Sequence, residues 1–333
     1  MSLSDDLTRR LEVALASPSA RDELLGHFGI TTFGTIYYVN ANSGEGANDL
    51  NDGLSMSHAF ATVAKAHTVM ISGADDYCLM SGNTEHTIST ELTMVKNRLH
   101  FLGLGGPSRM QGQRTRWEMG VTTGSEIGIV QNTGNGNTFH NIKMRSVDTN
   151  PSSLYVFADG GEHTVLDHVA LEHDALLSTA LCHELLANGD TCEYRYSTIG
   201  NLIYETAHAT RCPIGFKRET ISGKVCRDVK FIGCDILVKA GLTTSVHCNV
   251  VNATDIERRV VFDNCDFISA KLGANTQARV FNIDAAQTEG EILLRGGTAV
   301  WNVGEIADTG EGVFTDHPDA VKDGPEGIAV AVS

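Results

Sequence analysis

A short phrase recurs seven times between residues 99 and 299, and it constrains the fold more than any other feature of the chain. The phrase is an apolar residue, then most often glycine or asparagine two positions later, then a small or apolar residue. The starts lie 27 residues apart (Phe139 to Leu166) to 38 residues apart (Phe101 to Phe139), which is typical of stacked repeats. The copies begin at Phe101, Phe139, Leu166, Tyr196, Phe231, Phe262 and Leu294.

Each phrase predicts a strand, a one-residue corner and a second strand. Residues three apart in a straight strand face opposite sides, so both enter one core only if the chain bends between them. The bend falls on the third residue of the phrase, where glycine and asparagine adopt the left-handed conformation most cheaply. His168 and Thr198 occupy this position in two copies. The predicted β-helix corners are Gly103, Asn141, Gly233, Asn264 and Gly296.

Stacked units of this kind, with a third strand in each turn, form a parallel β-solenoid whose equivalent side chains lie in ladders. We therefore expect a mainly β fold, a single solenoid, in which Phe139, Phe231 and Phe262 stack near one corner. The alternative is a β-sandwich, whose hairpins need Asn-Gly or Asp-Gly turns between alternating strands. Only residues 51–53 and 188–190 come near that pattern.

The stretch before the repeats carries a second signal. It contains YYVNANSG at 37–44, NDGLS at 51–55, AFATV at 59–63 and GADDY at 73–77. These segments resemble the opening of pectate-lyase-like right-handed parallel β-helix proteins, in which a strand, a polar loop and a short capping helix precede the first coils. The resemblance implies a right-handed β-helix over residues 35–302. It implies no particular reaction, because the superfamily holds polysaccharide lyases and hydrolases beside phage tailspikes and non-catalytic virion proteins.

The two ends of the chain differ from the repeats. Residues 1–34 predict a short N-terminal helical arm, and helices this short are marginal alone. Its apolar side chains should therefore be buried, either as a cap on the solenoid or against a partner in an assembly. Residues 303–333 are acidic and rich in glycine, which predicts an extended C-terminal tail. The assembly candidates in the arm are Leu7, Leu11, Leu15, Leu24, Leu25 and Phe28.

The charge of the chain and the distribution of its apolar residues limit the classes of partner it can bind. The chain has 41 acidic and 25 basic residues and a formal net charge of −16. Such a charge repels phosphate backbones, so we expect no nucleic-acid partner. No run of about 18 apolar residues is present. The first residues lack the basic-then-apolar pattern of a signal peptide, so we expect no membrane partner and synthesis in a host cytoplasm.

The eight cysteines include no Cys-x-x-Cys pair, which removes the commonest metal-ligand spacing. Cys234 and Cys265 share the last position of successive phrases, so we predict that they are buried free thiols. Cys182 and Cys192 flank a turn and could meet across it. A disulfide there is the less favoured reading for a cytoplasmic protein, and the sequence leaves it open.

No catalytic constellation stands out. A β-helix lyase needs carboxylates that hold calcium beside a basic residue, and a glycosidase needs two carboxyl groups across the scissile bond. Five-residue spacing puts two of three candidate histidines on one strand face and the third on the other, which suits a single metal site poorly. We therefore predict no catalytic, metal or cofactor site. The solvated candidates are Asp148, Glu162, His163, Asp167, His168, Glu172, His173 and Asp174.

Two functions of different class fit these features. The favoured hypothesis is a non-catalytic structural protein of a tailed phage, a homotrimeric capsid decoration or cement protein on the virion surface. Its partners are then other copies of itself and a major capsid or other virion protein. The alternative is a glycan-cleaving tailspike, polysaccharide lyase or hydrolase. The chain leaves the host and the choice between capsid and tail open.

Overall fold

A computed structural model describes residues 34–42, 46–82, 85–105, 115–120, 128–147, 154–173, 183–206, 212–216, 224–250, 255–271, 277–283, 290–307 and 313–315. These residues form three sheets, which we name A, B and C. Sheet A contains β1 (Ile36–Val39), β2 (Asp76–Met80), β5 (Leu99–Gly103), β8 (Thr138–His140), β11 (Val165–Asp167), β14 (Glu193–Arg195), β17 (Val229–Ile232), β20 (Arg259–Asp263), β23 (Glu291–Arg295) and β26 (Val313–Thr315).

Sheet B contains β3 (Glu85–Thr87), β6 (Arg116–Met119), β9 (Lys143–Ser146), β12 (Ala170–His173), β15 (Thr198–Thr206), β18 (Asp235–Ala240), β21 (Asp266–Lys271) and β24 (Ala299–Trp301). Sheet C contains β4 (Leu92–Met94), β7 (Val130–Asn132), β10 (Tyr155–Asp159), β13 (His183–Ala187), β16 (Ile214–Phe216), β19 (Cys248–Val250), β22 (Gln277–Ile283) and β25 (Val303–Ala307).

The strand order is that of a solenoid. From β2 onward the chain visits sheets A, B and C in turn, so every third strand returns to the same sheet and pairs with the strand one turn earlier. The strand pairs between described residues are parallel. The predicted mainly β parallel solenoid is confirmed, and the β-sandwich alternative is wrong.

The repeated phrase builds the core through a ladder of stacked side chains. Phe231 and Phe262 lie opposite each other on β17 and β20, with ring centroids 4.5 Å apart. Phe101 and Phe139 stack at 5.2 Å on β5 and β8. All four rings are fully buried. Across the seven copies the ladder on sheet A is Phe101, Phe139, Leu166, Tyr194, Phe231, Phe262 and Leu294.

One copy of the phrase was assigned to the wrong register. Its ladder residue is Tyr194, not Tyr196, because Tyr194 pairs with Leu166 and Phe231. The left-handed corner of this turn is Tyr196, with φ of 48°, whereas Thr198 already begins β15. The pattern misled here because the corner residue is neither glycine nor asparagine.

Left-handed backbone joins sheet A to sheet B at the other corners. The φ angle is 55° at Asn141, 60° at Gly233, 53° at Asn264 and 64° at Gly296, and it is 54° at His168. A single residue in this conformation turns the strand sharply, so the residues before and after it both reach the core. Corners of this kind direct the outer side chains of sheets A and B away from each other.

The predicted corner at Gly103 is wrong. Gly103 is the last residue of β5, pairs with Met80, and has no positive φ. Glycine is required there for space, because a Cβ atom would lie 2.2 Å from the backbone oxygen of Asn141 in the next turn. Both a close backbone approach and a left-handed corner favour glycine, so the sequence pattern does not distinguish the two causes.

A short helix covers the start of the solenoid. Helix α1 (Val63–Val69) begins at the N-cap Thr62, whose side-chain oxygen accepts from the amide of Lys65. At its other end the Lys96 ammonium donates to three backbone carbonyls at 2.7 to 2.9 Å. This element lies where the superfamily resemblance implied a capping helix. Among the described helices, none is long and apolar enough to cross a membrane.

The solenoid extends further than the predicted boundary at residue 302. Strand β25 pairs with β22, and β26 pairs with β23, so residues 303–307 and 313–315 belong to the sheets. Residues 1–33 and 316–333 lie outside the described residues. The arm and its assembly candidates Leu7, Leu11, Leu15, Leu24, Leu25 and Phe28 therefore stay predictions.

The described cysteines are free thiols. Cys234 and Cys265 are fully buried, and their thiols donate to the backbone oxygens of Tyr194 at 3.2 Å and Phe231 at 3.4 Å. Burial raises the pKa of the Cys265 thiol, and its neighbour Cys234 adds to the rise. Cys182, the suggested partner of Cys192, lies outside the described residues.

Candidate functional site

The residues considered for catalysis lie on different parts of the solenoid. Asp167 is on the outer face of sheet A, and Glu172 is on the outer face of sheet B. Glu162 and His163 lie in the exposed turn between sheets C and A. His173 is fully buried and Glu172 is only 2% exposed, so the prediction that these two residues are solvated is wrong. Asp148 and Asp174 lie outside the described residues.

The densest group of charges is on the outer face of sheet B, across its first strands. Two rows of side chains face outward there, because the row between them carries core residues such as Trp117 and Met144. One row carries Glu85, Arg116 and Lys143 on neighbouring strands, and the other alternates in charge through Glu118, Arg145 and Glu172. We name this group the charged patch: Glu85, Arg116, Glu118, Lys143, Arg145 and Glu172.

Ion pairs join the charged patch across the strands. Arg145 contacts Glu118 at 2.9 Å, and Arg116 lies 3.5 Å from Glu85. The Lys143 ammonium is 2.7 Å from Glu172, and these two side chains are only 10% and 3% exposed. A pair this buried depends on both members, because removal of one leaves an uncompensated charge.

Two carboxyl groups of the patch, Glu85 and Glu118, interact directly. Burial raises the pKa of the Glu85 carboxyl, and the charge of Glu118 and a hydrogen bond between the two groups add to the rise. Arg116 and Arg145 act in the opposite direction. The Glu85 carboxyl therefore keeps its proton to a higher pH than an exposed glutamate does.

The same face changes character along the solenoid. Leu237, Ile268 and Trp301 pair in register on β18, β21 and β24 and replace the charges with what we name the apolar row. The Trp301 side chain is 48% exposed, and Ile203 on β15 is 60% exposed. Leu237 itself is buried, and the outward row beside the apolar row keeps Asp235 and Asp266 in register on β18 and β21. The later strands of sheet B therefore present exposed apolar side chains next to charged ones.

Sheet A carries a group of histidines around two aspartates. The Nδ1 atom of His168 is 2.6 Å from Asp167 Oδ1, and the Nδ1 atom of His140 is 3.6 Å from Asp167 Oδ2. Burial acts to raise the pKa of Asp167, but its interactions with His140 and His168 outweigh this and lower it. One turn earlier, His100 lies 3.5 Å from Asp75 and 2.9 Å from the Thr138 hydroxyl.

Sheet C holds buried polar contacts. The Tyr155 hydroxyl donates to Glu91 at 2.9 Å, and His183 Nδ1 lies 3.4 Å from the Cys212 thiol. Tyr155, His183 and Cys212 are all buried, so these contacts are closed to a polymer. Within the described ranges, no group of three or more His, Cys, Asp or Glu side chains is arranged to hold a metal ion.

Comparisons with known proteins bear on the fold. No protein-family model and no curated protein matches the sequence. The structure is similar to pectate lyase Pel9A, with a TM-score of 0.56 and 14% identity over 92% of this chain and 78% of that one. It is also similar to a rhamnogalacturonan lyase, with a TM-score of 0.54 and 12% identity over 85% and 73%.

A third similar structure is the pectin methylesterase from Aspergillus niger, with a TM-score of 0.51 and 10% identity over 87% of this chain and 82% of that one. At such identities the likeness concerns the fold alone. The chain therefore has the fold of the pectate-lyase-like right-handed β-helix proteins, as the resemblance of its segments between residues 37 and 77 implied.

Proposed function

We propose that this chain is a structural protein of a tailed-phage virion, a homotrimeric capsid decoration protein whose β-helices pack side by side. The observation that carries the proposal is the open end of the apolar row, where Trp301 is exposed and Ile268 is half-buried, together with the exposed Ile203 on β15; Leu237 in the same row is buried. Exposed tryptophan and isoleucine on a flat parallel sheet cost free energy in water and are typical of protein interfaces.

A second copy of the chain is the occupant that fits this surface best. A three-fold axis parallel to the solenoid brings the same face of each copy together, so the apolar rows meet one another. The solenoid keeps a constant cross-section, so a contact made by one turn is repeated by the next. Such an interface reaches the roughly 1,000 Å² that a specific contact needs over few turns.

The charge distribution supports a role without catalysis. The outer carboxylates are joined to bases: Glu172 to Lys143, Glu118 to Arg145, and Asp263 to Arg295 at 2.8 Å. Cross-strand pairs of this kind stabilise a sheet that faces water. On this proposal the virion surface is the location, and a major capsid or other virion protein is the second partner, bound through the arm at residues 1–34.

Trp301→Glu is expected to dissociate the trimer, because three glutamates meet near the axis in an apolar contact. The measurement is sedimentation velocity of the full chain at micromolar concentration. Wild type should sediment near 107 kDa, three times the 35.7 kDa chain, and the variant near one chain. The matched control is Leu54→Glu, at a side chain that is 55% exposed outside sheet B, and it should remain a trimer. A monomeric wild type contradicts the proposal.

A second candidate function rests on the carboxyl pair Glu85 and Glu118. Two neighbouring carboxyl groups, of which Glu85 has a raised pKa, lie beside Arg116 and Arg145 on the outer face of sheet B, and such a pair can act as general acid and base on a glycan. The similar structures include proteins named pectate lyase and rhamnogalacturonan lyase. This observation favours a polysaccharide lyase or hydrolase.

Release of reducing ends or unsaturated sugars from acidic and neutral polysaccharides separates the two candidates. If the chain is an enzyme of this kind, Glu118→Gln should reduce the rate at least 100-fold, since one acid or base contributes about that much. Arg295→Gln, at an ion pair outside the patch, is the control and should keep wild-type activity. On the structural proposal, wild type releases no product.

A further inference from the structure

Two ring-bearing residues occupy left-handed corners where the other turns use asparagine or glycine. His168 has φ of 54° and Tyr196 has φ of 48°, while the corners around them are Asn141 and Gly233. A left-handed residue with a Cβ atom costs about 1–2 kcal/mol. Histidine is among the residue types enriched in this region, but a bulky tyrosine is an outlier there. Strain of this kind clusters at functional sites, so the tyrosine at this corner calls for an explanation beyond the fold.

The rings form an exposed and fixed surface. Tyr196 is 47% exposed and the His168 side chain is 41% exposed. Their centroids are 5.4 Å apart with an interplanar angle of 39°. The tyrosine ring rests on Gly233 of the next turn, where an added Cβ atom would lie 2.9 Å from its Cδ1 atom. The ring is therefore held in place beneath while part of its surface faces water.

Polar groups flank the rings at the end of sheet A. Asp167 and Arg195 lie next to each other in register on β11 and β14, each directly before a ring residue. The Asp167 carboxylate is oriented by His168 at 2.6 Å. The Arg195 guanidinium is held by Glu193, with 2.8 Å from its Nε atom to Oε2, and the side chain is 41% exposed. An acceptor and a donor thus stand beside the aromatic surface.

We propose that this ridge, Asp167, His168, Arg195 and Tyr196, binds a neutral sugar unit of a glycan. An aromatic ring covers the C–H face of a sugar, while a carboxylate accepts from its hydroxyl groups and a guanidinium donates to them. We expect a neutral ligand for two reasons. The carboxylate of Glu193 balances the positive charge of Arg195, and the chain's net charge of −16 repels polyanions. The ridge is separate from the apolar row and the charged patch, which lie on sheet B.

The test is binding of the full chain to an array of neutral and acidic oligosaccharides of four to six units, followed by calorimetric titration with the best neutral one. We expect wild type to bind at least one neutral glycan. Tyr196→Gly should weaken that binding at least tenfold while the melting temperature stays equal or rises, because glycine relieves the left-handed corner. Tyr196→Phe should keep most of the affinity, since it keeps the ring face.

Tyr196→Asn serves as a second variant, because asparagine already occupies the corners at 141 and 264 and is compatible with the fold. It too should lose binding with little loss of stability. Wild type that binds no neutral glycan overturns the proposal. Undiminished binding by Tyr196→Asn also overturns it. A preference for acidic glycans that is unchanged in the Tyr196 variants overturns it as well. Each result is independent of whether the chain is a trimer.

Discussion

Phe231→Ala is expected to lower the free energy of unfolding by about 3–5 kcal/mol, the usual cost of emptying a buried aromatic site. Phe231 is fully buried between two rings of the ladder, 4.5 Å from Phe262 and 4.8 Å from Tyr194. The neighbouring turns are held apart by their own strands, so they cannot close the cavity. Chemical denaturation followed by far-ultraviolet circular dichroism measures the loss.

The matched control lies one residue away on the same strand. Lys230 faces outward, is 43% exposed at its side chain and has a long contact of 3.6 Å with Glu193. Lys230→Ala should cost less than about 1 kcal/mol, as exposed ion pairs do. Similar losses for the two variants would show that β17 is turned the other way and would contradict the ladder.

Acid should destabilise the protein through histidines that are neutral when folded. Burial lowers the pKa of His247 to about 4, below the ordinary value near 6.5. The unfolded chain therefore takes up a proton first, so this contribution to stability is complete above about pH 6.5 and is lost as the pH falls toward 4. The expected loss for His247 is about 2 kcal/mol at pH 5 relative to pH 7.

His247→Gln should flatten the dependence by that amount, measured as the difference in unfolding free energy between pH 7 and pH 5. Burial and the charge of Lys96 lower the pKa of His67 to about 4 as well. His67→Gln should therefore flatten the pH dependence too, but by less, because this side chain is partly exposed. An unchanged difference in His247→Gln would contradict a neutral buried imidazole.

The core ladder was predictable because one large apolar residue per turn, most often phenylalanine, repeats in register. Phe139, Phe231 and Phe262 could be aligned by eye since each is followed two residues later by asparagine or glycine. The expectation of glycine or asparagine at the corner failed at Tyr196, because tyrosine adopts the left-handed conformation there although it does not favour it. A prediction made from residue preference is weakest where the protein retains strain.

A second series of left-handed corners, between sheets C and A, was not predicted. Its members share a conformation but no residue type, so no phrase marks them, and only the backbone hydrogen bonds from turn to turn show the alignment. The series is Arg98, Gly136, His163, Thr191 and Asp228.

The charged patch was also missed, although the phrase contains a signal for it. Lys143 and Arg145 lie four and six residues after Phe139, and Glu172 lies six after Leu166, positions that face outward on sheet B. Glu85 precedes the regular repeats, and Arg116 follows a long connection after the first phrase. The repeat spacing therefore does not predict where these two residues lie. Strand register was needed to bring these residues together.

The end of the solenoid was placed too early for a compositional reason. Residues after 302 are acidic and rich in glycine, which predicts an extended tail. Strands β25 and β26 nevertheless add to sheets C and A, because the preceding turn offers unpaired backbone groups to any chain that follows. Pairing with an exposed strand edge can therefore order a segment whose composition alone predicts an extended tail.

The most direct test of the structural role is the amount of this chain in purified particles. Particles from a lysate of the producing host, banded by density, should contain the chain at a fixed copy number that is a multiple of three per particle. Quantitative mass spectrometry against the major capsid protein measures it, and the account predicts a constant ratio across preparations. Absence of the chain from banded particles, with the protein recovered in the soluble fraction, would contradict the account.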